Sequence, residues 1–300
     1  MIVCSEDFAF SGRMPRIVSL SAEGFEFVEH PEEVLADLRK SRHGADIFTF
    51  MQRLPDTAPK YGYPMEWDNV AALQVSTFDS WWTRQIDGKT RNMVRRAEKR
   101  GVTVREVPFD EALVRGIKAI YDECPIRQGR PFPHYRKDLN TIYQMSATFL
   151  DASSFIGAFW EEKLIGFVKL TINRARTQAA VMHILAMIQH RDMAPVNALM
   201  AESVRCCAAR GLPYLVYSRF SYGKKQRGTL AEFKENNGFE RIELPRYYIP
   251  LSTCGQVALR IGLHHGLSHF IPEPVVAKIR DIRREWHSGH FRFRIGTCSK

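Results

Sequence analysis

The chain has 300 residues, 45% of them hydrophobic and 25% charged, which supports a packed core in one large or two small domains and excludes wholesale disorder. Lys and Arg number 43 against 33 Asp and Glu, a net charge of +10, and this favours an anionic partner such as a nucleotide, a phosphate, tRNA or an acidic surface. No apolar run approaches the roughly 18 residues of a membrane helix, and MIVCSEDFAFSGRMPR has acids before its first arginine, so neither a membrane span nor a secretory signal is expected.

The first 80 residues hold 7 basic and 13 acidic side chains and read as a small α/β unit. Ile17–Leu20 and Phe25–Val28 are expected to pair as a hairpin. Pro31–Lys40 is a predicted helix with proline in its first turn and Val34, Leu35 and Leu38 on one face. Asp46–Met51 and Asn69–Thr77 are predicted strands, separated by a loop with three prolines. Residues 81–105 reverse the charge, with 8 basic and 2 acidic side chains. There Trp82, Ile86, Met93 and Ala97 recur at helical spacing, and Gly101 is a natural stop. Arg91, Arg95 and Lys99 line a second face. Like charges four apart repel by a few tenths of a kcal/mol per pair, so an anionic ligand or the acidic first 80 residues should lie against them.

From 102 the elements are dense. Val102–Val107 is a predicted strand, and Asp110 caps a helix running through Tyr121. The loop CPIRQGRPFPHY follows, then a helix over Asp138–Leu150. Phe155–Trp160 and Leu164–Ile172 form a hairpin, and Ala179–Ile188 is a long apolar strand. A helix over Pro195–Arg210 and a strand over Tyr214–Phe220 come next. Thr229-Leu-Ala-Glu232 is a capping box opening a short helix that stops at Asn237-Gly238. Phe239–Leu244 and Tyr247–Leu251 are closing strands. Residues 276–300 hold 7 basic and 2 acidic side chains, with Ile279, Ile282 and Trp286 at helical spacing beneath them. The six cysteines are scattered and form no CxxC, which reads as free thiols of a cytoplasmic protein. LHHGLSHF (His264, His265, His269) has no partner carboxylate at a metal spacing, so no metal is expected. P-loop and G-x-S-x-G patterns are absent.

The order β-α-α-β-β-β-α-β-α-β-β, with a long central strand leading through a turn into a helix, resembles the acyl-CoA N-acyltransferase (GNAT) fold. FKENNGF resembles the FK…GF run before the final strands of that superfamily. KTRNMVRRAEKRGVTVREV resembles the basic helix and strand entering the second domain of FemAB-like proteins. Those pair two such domains and transfer aminoacyl groups from tRNA. The resemblance covers about 80–251. It implies an α/β (α+β) fold, a GNAT-like mixed central sheet flanked by helices with a smaller N-terminal α/β unit. The implied division is a reduced unit at 1–80, a basic connecting helix at 81–101, an acyltransferase domain at 102–255 and a basic extension at 256–300. The implied activity is transfer of an acyl or aminoacyl group, from coenzyme A or aminoacyl-tRNA, to a small-molecule or peptide amine. The alternative is a catalytically inactive fold that binds nucleic acid or protein.

Four segments are candidates for the chemistry. Proteins of this fold usually carry Q/R-x-x-G-x-G/A after the long strand, where backbone N–H groups and a helix N-terminus cradle the acyl-CoA pyrophosphate. Here that turn is Gln189-His-Arg-Asp-Met-Ala194-Pro195, and Gln189, Arg191, Asp192, Ala194 and Asn197 are the expected contacts, with Lys224 and Lys225 on the phosphates. Asp192 replaces the first glycine and either repels a pyrophosphate or caps the helix, while Pro195 removes a donor. The loop residues Arg127, Gln128, Arg130, His134 and Tyr135 suit an acceptor carboxylate or phosphate. His183 on the long strand is the candidate base, and Tyr217 and Tyr222, after the next strand, are candidate acids.

Overall fold

A computed structural model describes residues 2–3, 6–41, 44–127, 130–220 and 229–266. The chain opens with β1 (Ile2–Val3), β2 (Glu6–Ser11) and β3 (Ile17–Leu20), then α1 (Pro31–Lys40), β4 (Ile47–Met51) and β5 (Met65–Gln74). A short α2 (Phe78–Ser80) runs into a π-helical turn at Trp81–Gln85 and then α3 (Gly88–Lys99). β6 (Thr103–Val107), α4 (Glu111–Asp122), the two-residue strands β7 (Ile126–Arg127) and β8 (Arg130–Pro131), and α5 (Leu139–Ser146) follow. The centre is β9 (Ser153–Trp160), β10 (Lys163–Ile172) and β11 (Gln178–Ala186), then α6 (Pro195–Ala209) and β12 (Tyr214–Val216). α7 (Thr229–Asn236), β13 (Glu240–Pro250) and α8 (Thr253–Arg260) complete it.

Eleven strands share one mixed sheet in the order β1-β2-β3-β4-β13-β5-β12-β11-β10-β9-β6. Among the described residues, only β3–β4 and β11–β12 are parallel neighbours. The expected Ile17–Leu20/Phe25–Val28 hairpin does not form. β3 pairs instead with β2, and residues 22–26 turn back on themselves through bonds from Phe25 and Glu26 N–H to the Ala22 carbonyl. Phe25 and Val28 are then free to fill the core beneath α1. The two expected closing strands are one, β13, running through Pro245. That proline stands just before the β4 ladder begins at Arg246, an end position where a missing N–H is tolerated. β13 lies between β4 and β5, so the first 80 residues flank the last strand instead of closing a sheet of their own.

The basic segment breaks where one helix is expected. The chain leaves the π turn at Ile86 in an extended conformation, and Asp87 caps α3 by accepting from Thr90 N–H at 2.7 Å. The new cap resets the helical phase. Trp81 and Val94 are buried in place of the expected Trp82 and Met93, alongside Ile86 and Ala97. Trp81 Nε1 donates to the Asn237 carbonyl and Thr90 Oγ1 to the Asn236 carbonyl, both at 2.9 Å. These bonds satisfy the orphan carbonyls at the end of α7 and pin α3 to it. The second basic face is partly consumed locally: Arg91 donates to the Trp82 and Ile86 carbonyls at 2.9 and 2.7 Å, and Arg100 pairs with Asp192. Arg95, Arg96 and Lys99 stay exposed.

β11 and β12 pair only over Gln178–Ala180 and Tyr214–Val216. Beyond that, β12 follows β5: Tyr217 N–H donates to the Ala71 carbonyl and Ala71 N–H to the Ser218 carbonyl, each at 2.8 Å. Ser218 takes a left-handed φ of 51° and ends the strand short of the expected Phe220. The two central strands therefore splay.

Candidate active site at the splayed strands

The β11 side of the splay is an aromatic and imidazole wall. Register shifts at its centre, with Lys169 opposite His183 but Leu170 opposite Val181, so Met182 is an extra residue. Such a bulge re-aims the side chains that follow it. His183 then stacks on Phe167, with ring centroids 5.2 Å apart and planes 22° apart, and its Nε2 lies 3.2 Å from Tyr121 Oη on α4. Tyr121 stacks on His134 at 4.9 Å, and His134 meets His183 edge-on at 6.0 Å. Burial pushes the His183 pKa down to about 4, and the charges of His134, Lys169 and Arg127 act in the same direction. Burial, then Lys137, lowers His134 as well. Burial raises Tyr121 to about 12. The three rings are thus uncharged at neutral pH, and His134 Nδ1 is buried without a hydrogen-bond partner among the described residues. Lys169 holds the end of α5 by donating to the Ser146 carbonyl at 2.8 Å and to the Thr148 carbonyl and hydroxyl; burial lowers its pKa to about 8.

The turn after β11 is already filled by the protein. Glu123, at the end of α4, accepts from Ile188 N–H at 2.7 Å and Gln189 N–H at 2.8 Å, and from Arg127 Nη2 at 3.0 Å. Arg127 donates further to the Ala186 and Ile120 carbonyls at 2.9 and 2.7 Å. Further along, Ala194 N–H is bonded to the Arg191 carbonyl and Asn197 N–H to the Ala194 carbonyl, while Pro195 has no N–H. Ala194 has φ 56° and gives α6 no side-chain cap. The amides of 188, 189, 194 and 197 are therefore all spoken for, and Asp192 adds a carboxylate paired with Arg100. These four amides are closed to the pyrophosphate of coenzyme A, which needs open N–H groups, and two carboxylates stand at the turn.

On the β12 side, Tyr217 lies edge-on to Phe239 at 6.1 Å. Lys234, from the FKENNGF segment, is fully buried, with Nζ 4.6 Å from the Tyr217 ring centroid and donating to the Arg219 carbonyl at 2.6 Å. Burial lowers its pKa to about 8.

The structure thus brings His183 and His134 together and places Tyr217 at the opposite strand. Arg127, expected on substrate, is instead the ion-pair partner of Glu123. Arg130 is exposed on β8, and Tyr135 lies under the Arg136 guanidinium at 5.2 Å. Arg191 is exposed and Gln189 turns its amide to the Met187 sulfur. Gln128, Tyr222, Lys224, Lys225 and the basic stretch 276–300 lie outside the described residues. Four residues escape a reading of the sequence: Tyr121 looks like ordinary helix core, Glu123 like the polar end of a helix, and Lys169 and Lys234 suggest no role. For Lys169 a signal exists, since it sits in an apolar run, FVKL, where a lone cation must find partners.

Among solved structures, FemX aligns over 80% of this chain and 83% of its own, with TM-score 0.56 and 11% identity. A C-terminal DUF2156 domain from Agrobacterium fabrum, assigned to a lysylphosphatidylglycerol synthetase, covers 88% of this chain and 87% of its own at TM-score 0.54 and 11% identity. L-PGS from Bacillus licheniformis covers 80% of each chain at TM-score 0.50 and 16% identity. The chain has the GNAT-type, FemAB-like fold, a large mixed sheet flanked by helices. No family model matches the sequence, and no curated protein does.

Proposed function

We propose that this chain is an aminoacyltransferase that takes its aminoacyl group from the 3′ end of a tRNA and delivers it to an amine. The observation that carries the choice of donor is the Glu123 carboxylate seated on the amides of Ile188 and Gln189. It removes the usual pyrophosphate cradle and leaves the splay of β11 and β12 for an ester-linked acyl group. The exposed Arg95, Arg96 and Lys99 belong to α3, whose end is tied to this turn by the Arg100–Asp192 pair, and they supply cations for a phosphate backbone.

In the reaction the acceptor amine attacks the ester carbonyl. The N–C bond forms, the C–O bond to the ribose breaks, and the ribose oxygen leaves with a proton. Attack requires a neutral amine. Uncharged imidazoles suit its side of the splay because they accept a proton or hydrogen bond without repelling an ammonium, and His134 Nδ1 is a nitrogen with no other partner among the described residues. His183 and Tyr121 pack against that ring, and burial, then Lys137, keeps it uncharged. Lys234 provides a fixed positive charge on the β12 side, where negative charge grows on the carbonyl oxygen.

The test is transfer of radiolabelled amino acids from a charged tRNA pool to a panel of amines, with acetyl-CoA binding measured by calorimetry alongside. The reading expects transfer that His134→Ala reduces by about 10²–10⁴-fold, with no heat from acetyl-CoA. Tight acetyl-CoA binding and acetyl transfer would replace the tRNA donor with coenzyme A. Salt-sensitive RNA binding without any transfer would leave a binding module.

A further inference from the structure

We infer a divalent-metal site, of the class that takes zinc, formed by Glu66, His264 and His265. It lies away from the residues assigned to transfer and does not depend on that assignment. The vicinal histidines have no carboxylate near them in sequence, but the fold supplies one. Glu66 is the second residue of β5 and pairs in register with Arg246 of β13. After β13 the chain forms α8, which Gly262 ends in a left-handed conformation, and the single turn Leu263–His265 comes back onto the start of β5. His264 Nε2 lies 2.9 Å from Glu66 Oε1, and His265 Nε2 lies 3.2 Å from Glu66 Oε2. One ligand atom from each of the three residues falls within 4.8 Å of the other two. A tetrahedral zinc with bonds of about 2.0–2.1 Å needs ligand atoms about 3.3 Å apart, so small side-chain movements admit the ion.

Three observations favour a cation over a simple hydrogen-bonded cluster. The donor set of two imidazoles and one carboxylate is one that zinc takes with a fourth position open. The two rings, with centroids 3.9 Å apart and planes tilted by 40°, both reach one carboxylate, which uses two side chains for a tether that one could make. His264, only 4% exposed in its side chain, leaves Nδ1 buried without a partner among the described residues; its ring is oriented for Nε2 at that expense. Tyr248, 4.7 Å from the His264 ring, walls the inner side, while Glu66 and His265 are partly exposed and leave an entry. A bound ion here would clip the end of the described C-terminal segment onto β5 and β13.

The experiment uses the full 300-residue chain without an affinity tag, stripped with a chelator and titrated with Zn²⁺ by calorimetry and with Co²⁺ by visible absorption. The expected result is one ion per chain, d–d bands of a four- or five-coordinate Co²⁺, and a raised melting temperature on zinc addition. Glu66→Gln keeps the shape and a hydrogen bond to one histidine, so it should fold; it should weaken zinc binding beyond the roughly 10–100-fold that loss of a merely supporting partner costs. His264→Ala should abolish the cobalt bands. Absence of stoichiometric binding, or binding that survives both substitutions, overturns the site.

Discussion

The Glu123–Arg127 pair decides whether the turn after β11 is open to a ligand, and Glu123→Ala tests it. The carboxylate accepts three hydrogen bonds, from Ile188, Gln189 and Arg127, at 2.7, 2.8 and 3.0 Å. Its side chain is 14% exposed and that of Arg127 is 11% exposed. Truncation leaves a buried guanidinium with carbonyl partners only, two amides without an acceptor, and Arg127 Nε still unpartnered. Removing one member of a buried ion pair costs about 3–5 kcal/mol, far above the roughly 0–1 kcal/mol of an exposed pair. At about 2–4 °C per kcal/mol for a chain of this order of size, the melting temperature should fall by roughly 6–20 °C. The assay is urea unfolding followed by circular dichroism, for Glu123→Ala, Arg127→Met and the double variant. The double variant should be less destabilised than the sum of the two, with a coupling of roughly 0.5–3 kcal/mol. A loss below about 1 kcal/mol for Glu123→Ala, with no coupling, would make Glu123 an ordinary solvated carboxylate and reopen the turn to a phosphate.

Three further outcomes are expected. His183 titrates near 4 when folded, below the ordinary value of 6.5, so the unfolded chain binds more protons between those values; stability is full above about pH 6.5 and falls by roughly 3 kcal/mol as pH drops through 4. His183→Gln should flatten that part of the stability–pH curve, and an unchanged slope would show that the imidazole is not held neutral. On α3, converting Arg95, Arg96 and Lys99 to Gln should lower the slope of log affinity against log salt for tRNA by about one for each phosphate that these cations neutralise, measured by filter binding; an unaltered slope would put the RNA elsewhere. Gly255→Ala would place a methyl 2.0 Å from the Asp46 carbonyl and should cost about 1–3 kcal/mol by thermal unfolding, whereas a neutral result would mean that α8 does not dock on β4.

What is legible in the sequence divides along a physical line. Elements set by short-range chemistry appear where periodicity and caps put them: α1 over Pro31–Lys40, and helices opened by Asp110 and Asp138, whose carboxylates accept from Leu113 and Thr141 N–H. The basic helix buries Ile86 and Ala97 as expected but Trp81 and Val94 in place of Trp82 and Met93, because Asp87 starts a new helix inside a stretch that reads as continuous. Strand partners are less accessible still. Nothing local in Glu240–Pro250 says that it will lie between β4 and β5, more than 160 positions earlier, so a separate N-terminal unit is the natural expectation. The same limit governs the sites. Gln189 to Pro195 announces a helix N-terminus, and the donors there are real. Whether they are open is decided by Glu123, 66 positions before Gln189, and the neutrality of His183 by burial, then by His134, Lys169 and Arg127. Glu66 and His264, 198 positions apart, make the point a third time. A residue's type is written in the sequence, but its chemistry depends on what already satisfies it, and in this protein the satisfying partner comes in each case from a different strand or helix.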